Sequence, residues 1–435
     1  MSTRTNKIEA RPIAPPNSML PEANSFEEEG ESVLTDRTLI GCSRRTPRFT
    51  GSAPYALCTM HYGRGGRPTI MSFPESARWT PLRAIARAWE KQSISRAGGR
   101  ARFRPTAAFD LGSANSRIAV SGSFSPIVIP SRIAVSLETD SILSVGRDAL
   151  RMVERAPPSI RIESPIRAGV IASPGSVEAL IRELLRQSIG QRRLVRPDFV
   201  MSLPASVASV HRHALVAVAH EAGARQVTLI DEGIAAALGA DLPILEPTGR
   251  LIIEMGAEKT EIAVAALGGI VVSATAAVGG AHLSDAISHY VRRERHLMIG
   301  RPSADAIKLE IGSATLSRDL RVTSVRGHDP RLGLPSIVEV KSDELTRSIC
   351  DVLDVIVAAI HVVLEKTPPE LSADIATTGM HLSGGGSLLS GLEAFMESAV
   401  GLRAQVVDYP CTSVVRGCLQ FAEDTRIQSE VLRLT

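Results

Sequence analysis

The sequence predicts an α/β fold made of two similar halves, and three observations carry that expectation. The stretch 107–120 (AAFDLGSANSRIAV) is an apolar run, an aspartate, a turn of small residues and a second apolar run, which reads as a strand, a tight loop and a returning strand. The stretch 253–264 (IEMGAEKTEIAV) echoes it, sharing an acid, an apolar residue, Gly, a small residue, Ser or Thr, a charged residue and then Ile-Ala-Val. Around both, runs of strand length alternate with amphipathic helical ones. A duplicated strand-turn-strand unit implies two halves that face each other across a cleft.

The chain has 435 residues, 44% of them hydrophobic and 22% charged, enough to bury a large core in one two-lobed unit or two to three domains. A net charge of +3 gives no support to a nucleic-acid role. Cysteines 42, 58, 350, 411 and 418 form no CxxC pair, so reduced thiols and a cytoplasmic setting are expected, with no zinc site. The most apolar segment, 352–364, is interrupted by Asp354 and His361 and reads as a buried helix rather than a membrane span. Residues 1–10 lead into no apolar core of a signal peptide.

Taken in order, residues 1–105 are rich in Pro, Ser, Gly and Arg with little hydrophobic periodicity, and a disordered basic extension is expected there, or an upstream start codon that the cell does not use. Within it, 78–91 (RWTPLRAIARAWEK) places Trp79, Leu82, Ile85, Ala86 and Trp89 on one helical face, with Arg83, Arg87 and Lys91 off it. Followed by Arg96, Arg100, Arg102 and Arg104, this is either an interfacial helix for an anionic membrane surface or a plain surface helix or basic linker. Strand-like runs follow at 127–136 and 143–145. A Pro/Arg-rich connection then reaches a helix at 176–189. Next come a buried strand at 199–203, a helix at 207–222, a strand at 227–230, and Asp231-Glu232-Gly233 opening a small-residue helix. The second half runs through strands from 251 to 275, a Gly279-Gly280 turn and helices at 283–295 and 303–311. Strands near 321 and 337, a long helix at 343–364, a strand at 380–382, the run Gly384-Gly385-Gly386, a helix, and a last helix at 413–422 complete it. The expected division is 1–105 extension, 106–250 first lobe, 251–423 second lobe with a return to the first, and 424–435 tail.

The chemistry these motifs allow is phosphate chemistry. A carboxylate at a strand end beside a glycine turn, with backbone amides and hydroxyls pointing outward, suits a metal-bound phosphate chain, although an Asp-x-Gly turn alone is more often an ordinary hairpin. Glu232 stands where a carboxylate could orient a water against a terminal phosphate, or simply cap a helix. Lys308 and Glu310 could meet a ribose or form a solvated helical pair, and the triple glycine could admit a flat ligand or only turn the chain.

The ordered series VGRDA, GVIA, LPASV, EAGARQVTLI, IAAALGADLPILEPTG, IKLEIGSA, GLP, LEKTPPELSADI, SGGGSLL and TSVVRG resembles the actin-like ATPases, and most closely the bacterial rod-shape-determining MreB family, over about 107–422. The resemblance implies a two-lobed, ribonuclease H-like duplicated fold, with ATP and Mg2+ as cofactors. It implies a cytoplasmic protein, peripheral at the inner membrane, that polymerises with itself or a related actin-like subunit and works with inner-membrane morphogenesis proteins on cell shape and wall synthesis. It places Asp110 and Glu254 toward magnesium; Gly112, Ser113, Asn115, Ser116, Gly256, Lys259, Thr260, Gly279 and Gly280 toward the phosphates; Glu232 on the hydrolytic water; and Lys308, Glu310, Gly384, Gly385 and Gly386 toward the nucleoside. The second turn departs from the family's DIGGGTTE: Glu254 replaces an aspartate, and Ala257 and Glu258 replace glycines. Ala281 and Ser284 likewise stand where the family tends to carry aspartates. Glu258 puts negative charge where phosphates should lie, and Lys259 is expected to neutralise either Glu254 or Glu258. ATP binding with weak hydrolysis is the leading expectation. A nucleotide-independent scaffold that co-assembles with a functional relative is the alternative, and a sugar kinase or chaperone on the same fold is a third class.

Overall fold

The computed structural model describes residues 105–432 apart from 124, 191–194 and 317–318. The expected extension and its 78–91 helix lie outside the described residues. Two five-stranded sheets repeat one plan. In the first, β1 (Thr106–Leu111), β2 (Asn115–Val120) and β3 (Ile127–Pro130) form an antiparallel meander. After β4 (Ile133–Ser136), β5 (Ile142–Val145), β6 (Ile160–Glu163), β7 (Ile166–Arg167) and β8 (Val170–Ile171), β9 (Asp198–Leu203) and β10 (Val227–Asp231) join β1 on its other side in parallel. In the second sheet, β11 (Arg250–Met255), β12 (Thr260–Ala266) and β13 (Gly269–Ala276) are the meander. Beyond the β14 (Val322–Asp329) and β15 (Leu334–Lys341) hairpin, β16 (Met380–Ser383) and β17 (Ala404–Val406) pair in parallel beside β11. The orders β10-β9-β1-β2-β3 and β17-β16-β11-β12-β13 correspond strand for strand. The duplication visible in the two turns extends to the whole sheet.

The helices are α1 (Arg147–Met152), α2 (Pro174–Ile189), α3 (Ser209–Glu221), α4 (Glu232–Gly239), α5 (Gly280–Arg295), α6 (Arg301–Ile311), α7 (Ser342–Lys366), α8 (Pro369–Thr378), α9 (Leu392–Val400), α10 (Ser413–Glu423) and α11 (Thr425–Val431). Strand alternation decides which core each side chain joins. Ala107 and Phe109 point into a cluster with Leu180, Ile181 and Leu184 of α2, and Phe109 packs on Phe199 of β9 with ring centroids 4.7 Å apart. Ala108 points the other way, into a core shared with Ile252 and Ala263 of the second sheet and with both α4 and α10. All of α4 is buried, and beyond Glu232 it is apolar around its full circumference, as the run IAAALG requires.

Between α4 and α10 the backbones touch. A Cβ on Gly417 would lie 1.8 Å from Ala235 O, and one on Gly239 would lie 1.8 Å from Ser413 O. In the second lobe, Ile253, fully buried on β11, belongs to the cluster with Leu345, Ile349 and Leu353 of α7. Ile253→Val is expected to cost about 0.5–1.5 kcal/mol, read as a lower urea midpoint at unchanged slope. An unchanged midpoint would contradict the packing described.

Several expected elements change on inspection. The single strand at 127–136 is two, β3 and β4, broken at Ser131-Arg132 because both side chains reach back to the first turn. The Pro/Arg-rich connection holds α1 and β6, which with β4 and β5 make a small sheet of order β5-β4-β6. The tail carries α11, capped by Asp424, whose side chain accepts from Arg426 N and Ile427 N. Among the described residues no helix is long and apolar enough to cross a membrane.

Candidate functional site

At the end of β1, Asp110 is buried opposite Arg117 of β2, and the Arg117 guanidinium donates to its Oδ2 at 2.7 Å. Burial raises the Asp110 carboxyl above its ordinary value and Arg117 holds back part of that rise. The turn between the strands is braced from behind. Ser131 Oγ donates to Gly112 O at 2.6 Å, while Arg132 Nη1 and Ser164 Oγ donate to Ser113 O at 3.0 and 2.8 Å. Ser116 Oγ shares a hydrogen bond with Ser131 Oγ at 2.8 Å, and Asn115 is exposed. Gly112 has no room for a side chain, since a Cβ would lie 2.7 Å from Asn115 O. Sequence reasoning missed Arg117, Ser131, Arg132 and Ser164. Only Arg117 left a signal, as the charged position that the two turns share ahead of Ile-Ala-Val.

The second turn joins β11 to β12. Glu254 is 8% exposed, and its Oε2 is buried without a hydrogen-bond partner. Gly256 N donates to Lys259 O at 2.9 Å, which closes the turn. Lys259 pairs with neither of the residues expected from the sequence. Its Nζ donates to Glu232 Oε2 at 2.6 Å and to Glu261 Oε2 at 3.3 Å, because the side chain turns inward between the sheets. Glu258 instead accepts from Ala168 N at 2.9 Å, tying the second turn to the segment between β7 and β8. Glu261 also accepts from Ala205 N at 3.2 Å. Burial and Glu232 push the Glu261 carboxyl up to about 7, against the pull of Lys259. For Lys259 burial acts downward, yet Glu232, Glu261 and Glu254 outweigh it and hold the ammonium above its ordinary value. Burial and the Glu232 carboxylate raise Glu254 well above the usual range.

Thus Asp110, Glu232, Glu254 and Glu261 share one buried cluster with Arg117 and Lys259. The glycines border it. A Cβ on Gly279 would meet Gly256 O at 2.5 Å, and Gly280 N donates to that same carbonyl at 3.0 Å. Thr260 Oγ1 donates to Val278 O at 2.9 Å, fixing β12 to the same turn. Gly384, at φ +83°, lies so close to β11 that a Cβ would meet Met255 O at 2.4 Å and Glu254 Oε1 at 2.6 Å, and one on Gly386 would lie 2.9 Å from Met255 Cβ. A Cβ on Gly385 would meet open space.

Lys308 and Glu310 part company. Lys308 Nζ donates to Gly280 O at 2.6 Å, Ser284 Oγ at 2.7 Å and Asp305 Oδ1 at 3.1 Å, whereas Glu310 accepts from Thr323 Oγ1 of β14 at 3.0 Å. A second tie between the halves runs from Arg301 N to Glu154 Oε1, at 2.9 Å. A cavity of about 570 Å³ opens beside it, lined by Arg132, Glu154, Ser164, Arg167, Glu258 and Arg301 among others.

The sequence that carries these two glycine turns and their buried charge cluster matches the family model described as MreB/Mbl protein over residues 104–430. The chain belongs to the MreB/Mbl family. The cell shape-determining protein MreB of Escherichia coli (strain K12) is 36% identical over 324 residues, 73% of this chain and 93% of its own length. The cell shape-determining protein Mbl of Bacillus subtilis (strain 168) is 34% identical over 310 residues, 71% and 92% of the two chains. Among solved structures, MreB 5 of Spiroplasma citri bound to AMPPNP superposes with a TM-score of 0.72 at 30% identity, over 76% of this chain and 99% of that one. The MamK double helical filament, at 20% identity and a TM-score of 0.62 over 74% of this chain and 99% of its own, shares the actin-like fold.

Proposed function

We propose that this MreB/Mbl family chain is an actin-like cytoskeletal subunit that binds adenine nucleotide between its two glycine turns. We further propose that it self-associates into filaments at the inner face of the cytoplasmic membrane to govern cell shape. The observation that carries the reading is the pairing of the turns at 112–116 and 256–260 across the shared cluster of Asp110, Glu232, Glu254 and Lys259. The Spiroplasma relative holds AMPPNP in its structure, and the E. coli relative is a cell shape-determining protein.

In this reading the backbone amides of the two turns and the hydroxyls of Ser113, Ser116 and Thr260 meet the phosphates. The glycine run 384–386 and Lys308 border the nucleoside. Among the described residues no three His, Cys, Asp or Glu side chains gather as a metal-holding group. A magnesium ion needs fewer, since it is commonly held by one or two carboxylates and the substrate's phosphates. The buried, unpartnered Glu254 Oε2 fits that role, whereas Asp110 is already engaged by Arg117. When bound, the ion would neutralise phosphate charge. The lobes at 106–250 and 251–423, the anionic membrane surface, a related actin-like subunit and the inner-membrane morphogenesis partners belong to the same proposal.

The test is a thermal melt of the full chain with and without Mg-ATP, together with sedimentation of filaments. A ligand at about 100 times its Kd stabilises by roughly 2.7 kcal/mol, so a rise of several degrees is expected, with protein in the pellet. Neither a shift nor a pellet would reject the reading.

A further inference from the structure

Lys259 is placed unlike a freely solvated phosphate-binding lysine. Its side chain is 9% exposed, and its Nζ lies 2.6 Å from Glu232 Oε2 and 3.3 Å from Glu261 Oε2. Its carbonyl is fixed by Gly256 N at 2.9 Å. Its stem is confined from across the cleft, for a Cβ on Gly169 would lie 3.0 Å from Lys259 Cε and 2.7 Å from Pro204 Cγ. Glu261, the second anchor, is held by Ala205 N at 3.2 Å. The ammonium is therefore gripped at its base, along its stem and at its tip. Its stronger contact is with Glu232, the carboxylate that the nucleotide-binding reading gives the task of orienting a water.

We propose that Lys259 is a built-in clamp on Glu232, which lets the chain hold ATP while suppressing its hydrolysis. The inference rests on the nucleotide-binding reading above and concerns the same cleft. Hydrolysis forms a bond from a water oxygen to the terminal phosphorus and breaks the phosphoanhydride P–O bond. ADP leaves with the electron pair and the water's proton passes to the released phosphate. A carboxylate assists by accepting a hydrogen bond from that water, within about 2.6–3.2 Å. In this cleft an ammonium already donates to Glu232 at that range, and its positive charge makes the oxygen a poorer acceptor. Lys259 is a positioning residue in this scheme, acting through Glu232.

The experiment measures ATP affinity by calorimetry, then phosphate release in a single turnover of bound ATP, on the full chain beside the E. coli relative. The expected result is ATP binding with phosphate release at least tenfold slower than the relative's. At saturating ATP, Lys259→Thr should raise single-turnover release by at least tenfold, and Lys259→Arg should stay slow. Loss of a purely structural lysine would slow release or leave it unchanged, not speed it. Where Lys259→Thr does not fold, the variant that adds Glu261→Gln removes one charge of each sign and is measured in its place. The clamp is overturned by wild-type release as fast as the relative's, or by a folded Thr variant that binds ATP and releases phosphate no faster. Absence of ATP binding to wild type is a different failure, since it overturns the nucleotide reading, and the clamp falls with it.

Discussion

Gly417→Ala is expected to leave little or no folded protein. The added Cβ would sit 1.8 Å from Ala235 O, a backbone atom in the fully buried helix α4. No rotamer change relieves that overlap, because the position of Cβ is set by the backbone and its partner is a backbone oxygen. The two helices would have to separate, and the shared core of Ala108, Ile252, Val415 and Phe421 would open with them. Ordinary overpacking costs about 1–3 kcal/mol where side chains can yield, and here the loss should exceed it, against a total stability of about 5–15 kcal/mol. Gly239→Ala should behave alike, its Cβ meeting Ser413 O at 1.8 Å. Gly175, in the first turn of α2, has no heavy atom within 4 Å of an added Cβ, so Gly175→Ala should fall within about 0.5 kcal/mol of wild type. Soluble yield and circular-dichroism melts of the three variants check this. A Gly417→Ala protein melting alongside the Gly175→Ala control would refute the backbone contact.

What the sequence disclosed follows from the range of the interactions involved. The hairpins at Asp110 and Glu254 are local objects, defined by strand periodicity and a small-residue turn, and the resemblance between them foreshadowed two sheets of identical order. Glu232 was legible for the same reason, as an acid where a strand meets a helix. In the small sheet β5-β4-β6, strand β6 was not. It is four residues long and set between Pro158 and Pro165 in a connection rich in Pro and Arg, so no period of two survives for long enough to be seen. Least legible were contacts made to backbone. Glu258 reaches the amide of Ala168, 90 residues away, and an amide carries no residue-type signature. The destination of Lys259 was hidden by a related cause. Glu254, Glu258 and Glu261 all lie within five residues of it, so the sequence offered no way to choose among them, and its stronger partner, Glu232, is 27 residues away.

The inward turn of the Lys259 side chain has an energetic consequence with a defined pH window. Lys259→Met removes the cation that bonds two buried carboxylates, Glu232 and Glu261, and that lowers a third, Glu254. Breaking a buried pair by deleting one partner costs about 3–5 kcal/mol, and a loss of that size is expected at pH 8. The loss should shrink toward pH 5. Glu261 is held at about 7 in the folded chain against 4.5 for the free group, so the folded state binds the extra proton between those values. Stability therefore falls as pH rises through that window, on the order of 3 kcal/mol at 1.36 kcal/mol per pKa unit. Asp110 and Arg117 complete the set of charges facing the cluster, and their mutual ion pair is untouched by the substitution. Because Lys259 lowers the Glu261 carboxyl, its removal should extend the fall to higher pH, so that the two stability curves diverge from pH 5 to pH 8. Glu261→Gln should make the wild-type curve less steep across the same range, the remaining slope coming from the raised Glu254 carboxyl. Urea midpoints at pH 5, 6.5 and 8 for the three proteins measure this directly. Parallel curves for wild type and Lys259→Met would mean that the ammonium does not govern the protonation of the acids around it.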